Sequence, residues 1–228
     1  NLPGGLNACV AAAAWRWLGH DGGDRVLNAM CGSGTLLIER ARSGPAARLA
    51  GVDLAPEALE AARANAEAAG LRVRSGDAGD GAASDGDAGD AGGRPPLELL
   101  RADATATPFP DGAFDVVISN GVINLTADKG AVFRELARVL RPGGRLAISD
   151  IVCETALTEE IKCDTSLWAA CIGGAAQRDA YRACMREAGL AVREERTNPS
   201  YRFLSRSAQG ASRDFGVKSV SILAERQG

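Results

Sequence analysis

The chain has 228 residues, 46% hydrophobic and 24% charged, with a formal net charge of −3 and a sequence pI near 5.4. That is enough apolar material for one sizeable α/β core and too little for two, so a single domain over residues 1–228 is expected. The acidic balance supplies no basic field for nucleic acid or an anionic membrane, and neither a membrane-spanning run nor a secretory leader pattern is present, which points to the cytoplasm.

Six cysteines, at 9, 31, 153, 163, 171 and 184, show no CxxC spacing, so neither a disulfide framework nor a tetrahedral zinc site is expected, and no metal is assigned. The single histidine, His20, falls in a glycine-rich turn, which leaves triad hydrolysis and histidine-ligated metal catalysis without material.

In chain order, residues 5–18 read as a helix with Val10, Ala14, Trp17 and Leu18 on one side, ended by Gly19. An apolar strand at 26–30 then runs into Cys31-Gly32-Ser33-Gly34, where two glycines permit a sharp turn and close approach to a ligand before a helix opens at Thr35. About 20 residues on, a second strand ends in Asp53, the βαβ distance that sets a carboxylate against ribose hydroxyls. The turn is GxG, not GxGxxG, and no phosphate-gripping Lys-Ser/Thr pair follows, so the expected ligand is a nucleoside without a pyrophosphate.

Pro56 opens a further helix to residue 69. Residues 75–96 are rich in Asp, Gly and Ala without apolar periodicity and read as a flexible insert, with no calcium-loop order among the acids. A strand at 97–101 leads to Asp103, and the apolar run 113–120 reads as a central parallel strand ending in Ser119-Asn120. Asp128 caps a helix carrying Val132, Leu136 and Leu140, stopped by Pro142-Gly143-Gly144, and a strand at 145–149 ends at Asp150. Asn28, Asp53, Asp103 and Ser119-Asn120 thus share one sheet edge.

Residues 150–216 differ in kind and read as a substrate-side elaboration. They hold an aperiodic stretch at 153–176, a helix at 177–188 presenting Tyr181, Cys184, Met185 and Ala188, and a strand at 190–197 that forms a closing pair with 217–224. The excursion between those strands is long enough to reach over the site.

VLNAMCGSGT, the acid in GVDLAPEALEAARANA, LLRADATATPFPDGAFDVVISN and FRELARVLRPGGRLAISD together resemble the successive motifs of class I S-adenosylmethionine-dependent methyltransferases, over about residues 25–150. The resemblance implies a Rossmann-like α/β sheet of seven strands with helices on both faces and the last strand antiparallel, with S-adenosylmethionine as cofactor. It further implies that Gly32 and Gly34 pass the cofactor's amino-acid part, Asp53 the ribose, Leu54 the adenine face and Asp103, with Ala104 beside it, the adenine amino group. Asn28 and Met30 stand where the family usually has an acid and a glycine, and Ser119 completes the cofactor set.

The N-terminal half also resembles RNA guanine-N2 methyltransferases, through MCGSGT, but Ser119 to Leu125 replace their proline-aromatic base shelf. ISNGVINLTADKGAVFRELARVLRPGGRLAISDIV and EIKCDTSLWAACIGGA resemble the arsenite methyltransferases and their relatives. That branch binds arsenic through thiolates; Cys171 matches one of its cysteines, Gly121 stands where it often has another, and Cys153 and Cys163 are the available substitutes.

Asn120, Cys163 and Cys171 are therefore the acceptor-side candidates. The leading expectation is methyl transfer to a small molecule, arsenite or a related thiophilic species among them. RNA guanine-N2 methylation is disfavoured as a partner reading by the acidic charge, and a cofactor-binding protein without catalysis is suggested by Asn28 and Met30.

Overall fold

The computed structural model describes residues 8–19, 22–77, 95–203 and 205–228. Its centre is one eight-stranded sheet in the order β3-β4-β2-β1-β5-β6-β8-β7. The strands are β1 (Arg25–Ala29), β2 (Arg48–Asp53), β3 (Val73–Asp77), β4 (Leu97–Arg101), β5 (Phe114–Asn120), β6 (Leu140–Val152), β7 (Leu190–Thr197) and β8 (Lys218–Arg226). The first six run parallel, and β8 is antiparallel to both β6 and β7.

Seven strands were expected, and the additional one is β3. Its sequence VRSGD has a single apolar residue and sits at the sheet edge, paired only with β4, so backbone pairing rather than burial holds it. Residues 75–77 of the expected flexible insert therefore belong to a strand, while residues 78–94 of that insert lie outside the described residues, as do 5–7 of the first expected helix and His20.

Helices cover both faces: α1 (Ala8–Leu18), α2 (Thr35–Ser43), α3 (Pro56–Ala68), α4 (Lys129–Val139), the short α5 (Glu159–Cys163) and α6 (Thr165–Ala169), α7 (Arg178–Glu187) and α8 (Arg206–Phe215). β1 and β5 read as near-continuous apolar runs because both faces are covered, and Leu27, Val116 and Val117 are fully buried. One core cluster packs β-strand residues against Phe133, Leu136, Tyr181 and Met185 of α4 and α7, and the other packs Val26 and Leu49 against Trp15, Leu37 and Ala62.

In α1 the buried face is Ala11, Trp15 and Leu18, the i, i+4, i+7 stripe, rotated from the expected face. Trp15 is fully buried and donates Nε1–H to the Leu36 carbonyl at 2.7 Å, which ties α1 to α2. At α4, Asp128 accepts from the Ala131 amide at 2.8 Å as the expected cap.

The strand starts are clamped by ion pairs, away from the tips. Asp115 accepts from the Arg25 amide at 2.8 Å and from the Arg25 and Arg141 guanidinium groups, and although burial works against the charged form, these partners hold its carboxyl down at about 2. Arg48 and Glu98 form a two-bond bridge across β2 and β4.

Candidate functional site

The parallel strands bring their C-terminal tips to one edge in register: Asn28 opposite Gly51 and Ile118, Asp53 opposite Arg101, and Asn120 opposite Ser149. A topological crevice at this edge is where open α/β sheets bind ligands.

The turn after β1 is built for close approach. Met30, Gly32 and Gly34 all have left-handed φ, at 57°, 53° and 77°. A Cβ at Gly34 would sit 3.1 Å from that of Ala62, so glycine there also lets α3 close on the turn, whereas a Cβ at Gly32 would meet nothing within 4 Å and faces open space. Met30 holds the left-handed conformation without glycine's freedom, which for a non-glycine residue is uncommon and marks a constrained position.

Asp53 organises this turn from the next strand. Its Oδ2 accepts from the Gly32 amide at 2.8 Å and its Oδ1 from the Ala55 amide at 3.0 Å, so each oxygen keeps a lone pair outward. Leu54 beside it is 60% exposed. Asp103 is exposed after β4, and the amide and hydroxyl of Thr105, each at 2.8 Å from Oδ1, hold its carboxyl below the usual range. Ala104 is buried and offers its backbone rather than a side chain.

Two buried oxygens at the same edge, Asn28 Oδ1 and Ser119 Oγ, lack a hydrogen-bond partner among the described residues. Such orphans are costly unless a ligand completes them. An open glycine turn, two unpartnered buried oxygens and the strand-end carboxylates of Asp53 and Asp103 together form a donor and acceptor set whose chemistry fits S-adenosylmethionine.

Next to this cleft lies a cavity of about 600 Å³ at the tips of β5 and β6. Ser119 and Asn120 form its floor with Ser149, and α1 contributes Ala14 and Trp17 to an apolar wall. The opposite wall comes from the segment after β7, with Asn198 and Tyr201, and from Ser219 and Ser221 of β8. Asn198 Nδ2 donates to both serine hydroxyls, at 2.9 and 3.2 Å, which makes this wall a polar ladder. Arg196 lies 5.3 Å above the Trp17 ring. Tyr201, which lines this cavity, is one of the exposed large apolar side chains among the described residues.

Trp17, Tyr201, Asn198 and the two serines were not singled out as site residues from the sequence. For Asn198 and Tyr201 the signal was the length of the excursion after β7, which brings residues 198–201 to this cavity and continues into α8, a helix sequence reasoning missed.

The thiols behave differently from one another. Cys171, with φ 59°, donates its S–H to the Gly121 carbonyl at 2.8 Å and so stands at the β5 tip; burial, with Asp150 nearby, pushes its pKa up to about 11. Cys163 ends α5 and is exposed, and Cys153 is buried with its thiol on the Ala175 carbonyl. Among the described residues no three His, Cys, Asp or Glu side chains are grouped to hold a metal ion, so Cys153, Cys163 and Cys171 do not form a three-thiol site. The reason is local: Cys153 packs inside with Ala175, whereas Asp164, capping α6, turns the chain after Cys163 and leaves that thiol outside.

Asp150 and Tyr181, near the β6 tip, are both buried. Asp150 accepts from Asn124 Nδ2 at 2.8 Å, from the Ile151 amide at 2.8 Å and from the Tyr181 hydroxyl at 3.2 Å. Burial raises its pKa to about 6 and that of Tyr181 well above its usual value. The pair is a strut joining β6, α7 and the short 3₁₀ turn Ile123–Leu125, and a Cβ at Gly174 would meet the Asn124 carbonyl at 1.9 Å, so the Cys171–Gly174 turn is locked onto the same loop.

The model of a methyltransferase domain family matches residues 27–148, more than half of the chain and the whole of the crevice from β1 to β6. The chain belongs to this methyltransferase family. An arsenite methyltransferase of Halobacterium salinarum is 32% identical over 205 residues, which cover 89% of this chain and 46% of that protein. A demethylmenaquinone methyltransferase of Thermus thermophilus is 40% identical over 125 residues, 54% of this chain and 46% of that one. The chain thus spans less than half the length of either relative. Among solved structures, an arsenic(III) S-adenosylmethionine methyltransferase of Chlamydomonas reinhardtii superposes with TM-score 0.64 at 24% identity, over 90% of this chain and 64% of that chain, a likeness of fold. These matches lend no support to the expected likeness to RNA guanine-N2 methyltransferases, and the β5 tip of this methyltransferase runs into a 3₁₀ turn where a proline shelf would stand. No helix among the described residues is long and apolar enough to cross a membrane.

Proposed function

We propose that this methyltransferase moves the methyl group of S-adenosylmethionine to a small-molecule acceptor seated in the cavity above Ser119, Asn120 and Ser149. The observation that carries the reading is that cavity itself: it shares Ser119 with the cofactor cleft and has room for a compact molecule, not a polymer. When bound, S-adenosylmethionine supplies a sulfonium-activated methyl carbon.

The chain's own contribution is alignment and exclusion of water. Asn28, the glycine turn, Asp53 and Asp103 hold the cofactor's parts in line along the strand tips, so that an acceptor on the floor at Ser119-Asn120 meets the methyl carbon from one direction. Trp17, Leu36 and Ile118 form the dry side of the cavity, and the Asn198-Ser219-Ser221 ladder orients polar groups of the acceptor. The buried acid and phenol nearest the tip, Asp150 and Tyr181, are committed to structure, so an acceptor bearing its own lone pair at neutral pH suits this site best.

A second reading, trivalent arsenic as acceptor, is favoured by Cys171 at the β5 tip and by the arsenite methyltransferase relative, with one protein thiol and exogenous thiols as ligands. Methyl-labelled cofactor offered with small thiols, phenols and amines, with arsenite plus thiol, and with bulk RNA distinguishes these. Label in a small-molecule fraction is expected; label confined to RNA would overturn the proposal.

A further inference from the structure

Behind the polar wall of the acceptor cavity lies a second and larger cavity, of about 980 Å³, formed by the segment after β7, α8 and the start of β8. Asn198, Tyr201 and Ser219 line both cavities. Its lining holds four cations, Arg202, Arg206, Arg213 and Lys218, and no acid, in a chain whose net charge is −3.

The cations are placed by the amphipathic design of α8. Ala208 and Ala211 face inward with Val217 and Ile151, which leaves Arg206, Gln209 and Arg213 on the opposite stripe at i, i+3 and i+7. Seven residues of helix advance about 10 Å, within the combined reach of two arginine side chains, so both guanidinium groups can close on one small group. Lys218 is neutralised by Glu154, and one Arg202 nitrogen donates to the Pro199 and Tyr201 carbonyls. Arg206 and Arg213 have no acidic partner among the described residues. A single carboxylate needs one bidentate arginine; two uncompensated arginines with Arg202 at hand match a group with two or more negative charges.

We propose that this cavity is an anion subsite for a phosphate-type group carried by the methyl acceptor, whose reacting end enters the first cavity past Asn198, Tyr201 and Ser219. The inference rests on the small-molecule reading of the first cavity and adds the substrate class: a phosphorylated or diphosphorylated organic molecule.

The test is calorimetric titration of the full chain, at constant ionic strength, with inorganic pyrophosphate, inorganic phosphate and benzoate, each repeated on the Arg206→Gln/Arg213→Gln variant. Both arginines are exposed, so S-adenosylhomocysteine affinity, measured in parallel, should not change and reports that the variant is folded. Pyrophosphate should bind at one site, more tightly than benzoate, and lose about tenfold or more in the variant, since one charge-assisted hydrogen bond is worth roughly a factor of ten. Absent binding, or equal binding by the variant, would overturn the subsite, and benzoate binding as tightly as pyrophosphate would overturn the double-charge assignment. With the acceptor found in the labelling screen, pyrophosphate should raise its KM and leave kcat unchanged; failure to compete would separate this cavity from the acceptor. If S-adenosylhomocysteine fails to bind the parent, the methyltransfer reading falls on its own, and the anion titration still decides the subsite.

Discussion

Replacing Asp150 by Asn tests whether the buried strut carries the charge chemistry read from its surroundings. Desolvation is the largest influence on this carboxyl and lifts its pKa from 3.8 to about 6, although the Ile151 amide, the Tyr181 hydroxyl, Asn124 and the Lys129 ammonium all oppose the rise. The native state therefore keeps the proton over a range where the unfolded chain has lost it. Its stability falls as pH climbs from about 4 to 6, and above that the buried charge costs roughly 3 kcal/mol, from about two units at 1.36 kcal/mol each. Asn at this position retains the same shape, accepts from Ile151 and Asn124, and donates to the Tyr181 oxygen, so it removes the charge and little else. Urea unfolding of parent and variant at a series of pH values should show the variant gaining roughly 2 kcal/mol relative to the parent between about pH 4.5 and 7.5. Parallel stability curves for the two proteins would refute the raised pKa and the charged reading of the strut.

Other substitutions probe the remaining parts. Gly34→Ala places a Cβ at left-handed φ and 3.1 Å from that of Ala62, and should cost about 1–3 kcal/mol in thermal or urea unfolding, with unchanged stability ruling out the close approach of α3. Trp15→Phe removes the donor to the Leu36 carbonyl and should cost about 1–3 kcal/mol by the same measurement; a neutral result would detach α1 from α2. Alkylation by iodoacetamide at neutral pH, followed by peptide mass spectrometry, should modify exposed Cys163 first and Cys171 far more slowly, because the Cys171 thiol is held protonated to about pH 11; equal rates would contradict that.

The crevice was legible in the sequence because its signals are local. A glycine turn after an apolar strand and an acid about 20 residues later encode one βαβ unit, and the polar ends of strands at Asn28, Asp53 and Ser119 follow from where apolar runs stop. β3 was not legible, since Val73-Arg74-Ser75-Gly76-Asp77 carries no burial pattern and owes its conformation to β4 alongside it. Of the expected α1 face, Leu18 is buried, but the stripe turns on Ala11 and Trp15, because a run of alanines leaves it undetermined until Trp15 finds Leu36. Cys153 and Cys163 lie close in sequence, yet packing at Ala175 buries one and the α5–α6 corner exposes the other. The acceptor wall is the least local feature of all: Trp17, Asn120, Asn198 and Ser219 come from four distant segments, brought together by the antiparallel return of β8 between β6 and β7 and by the packing of Trp17 under Arg196.

The central claim is that the strand tips form an S-adenosylmethionine site organised by Asp53, whose Oδ2 accepts from the Gly32 amide at 2.8 Å. Calorimetric titration of the parent and Asp53→Ala with S-adenosylhomocysteine tests it most directly, with circular dichroism verifying that the variant is folded. One site is expected in the parent, weakened in the variant by about 1–3 kcal/mol, roughly tenfold to a hundredfold in Kd. No binding by the parent, or equal Kd values for parent and folded variant, would contradict the account.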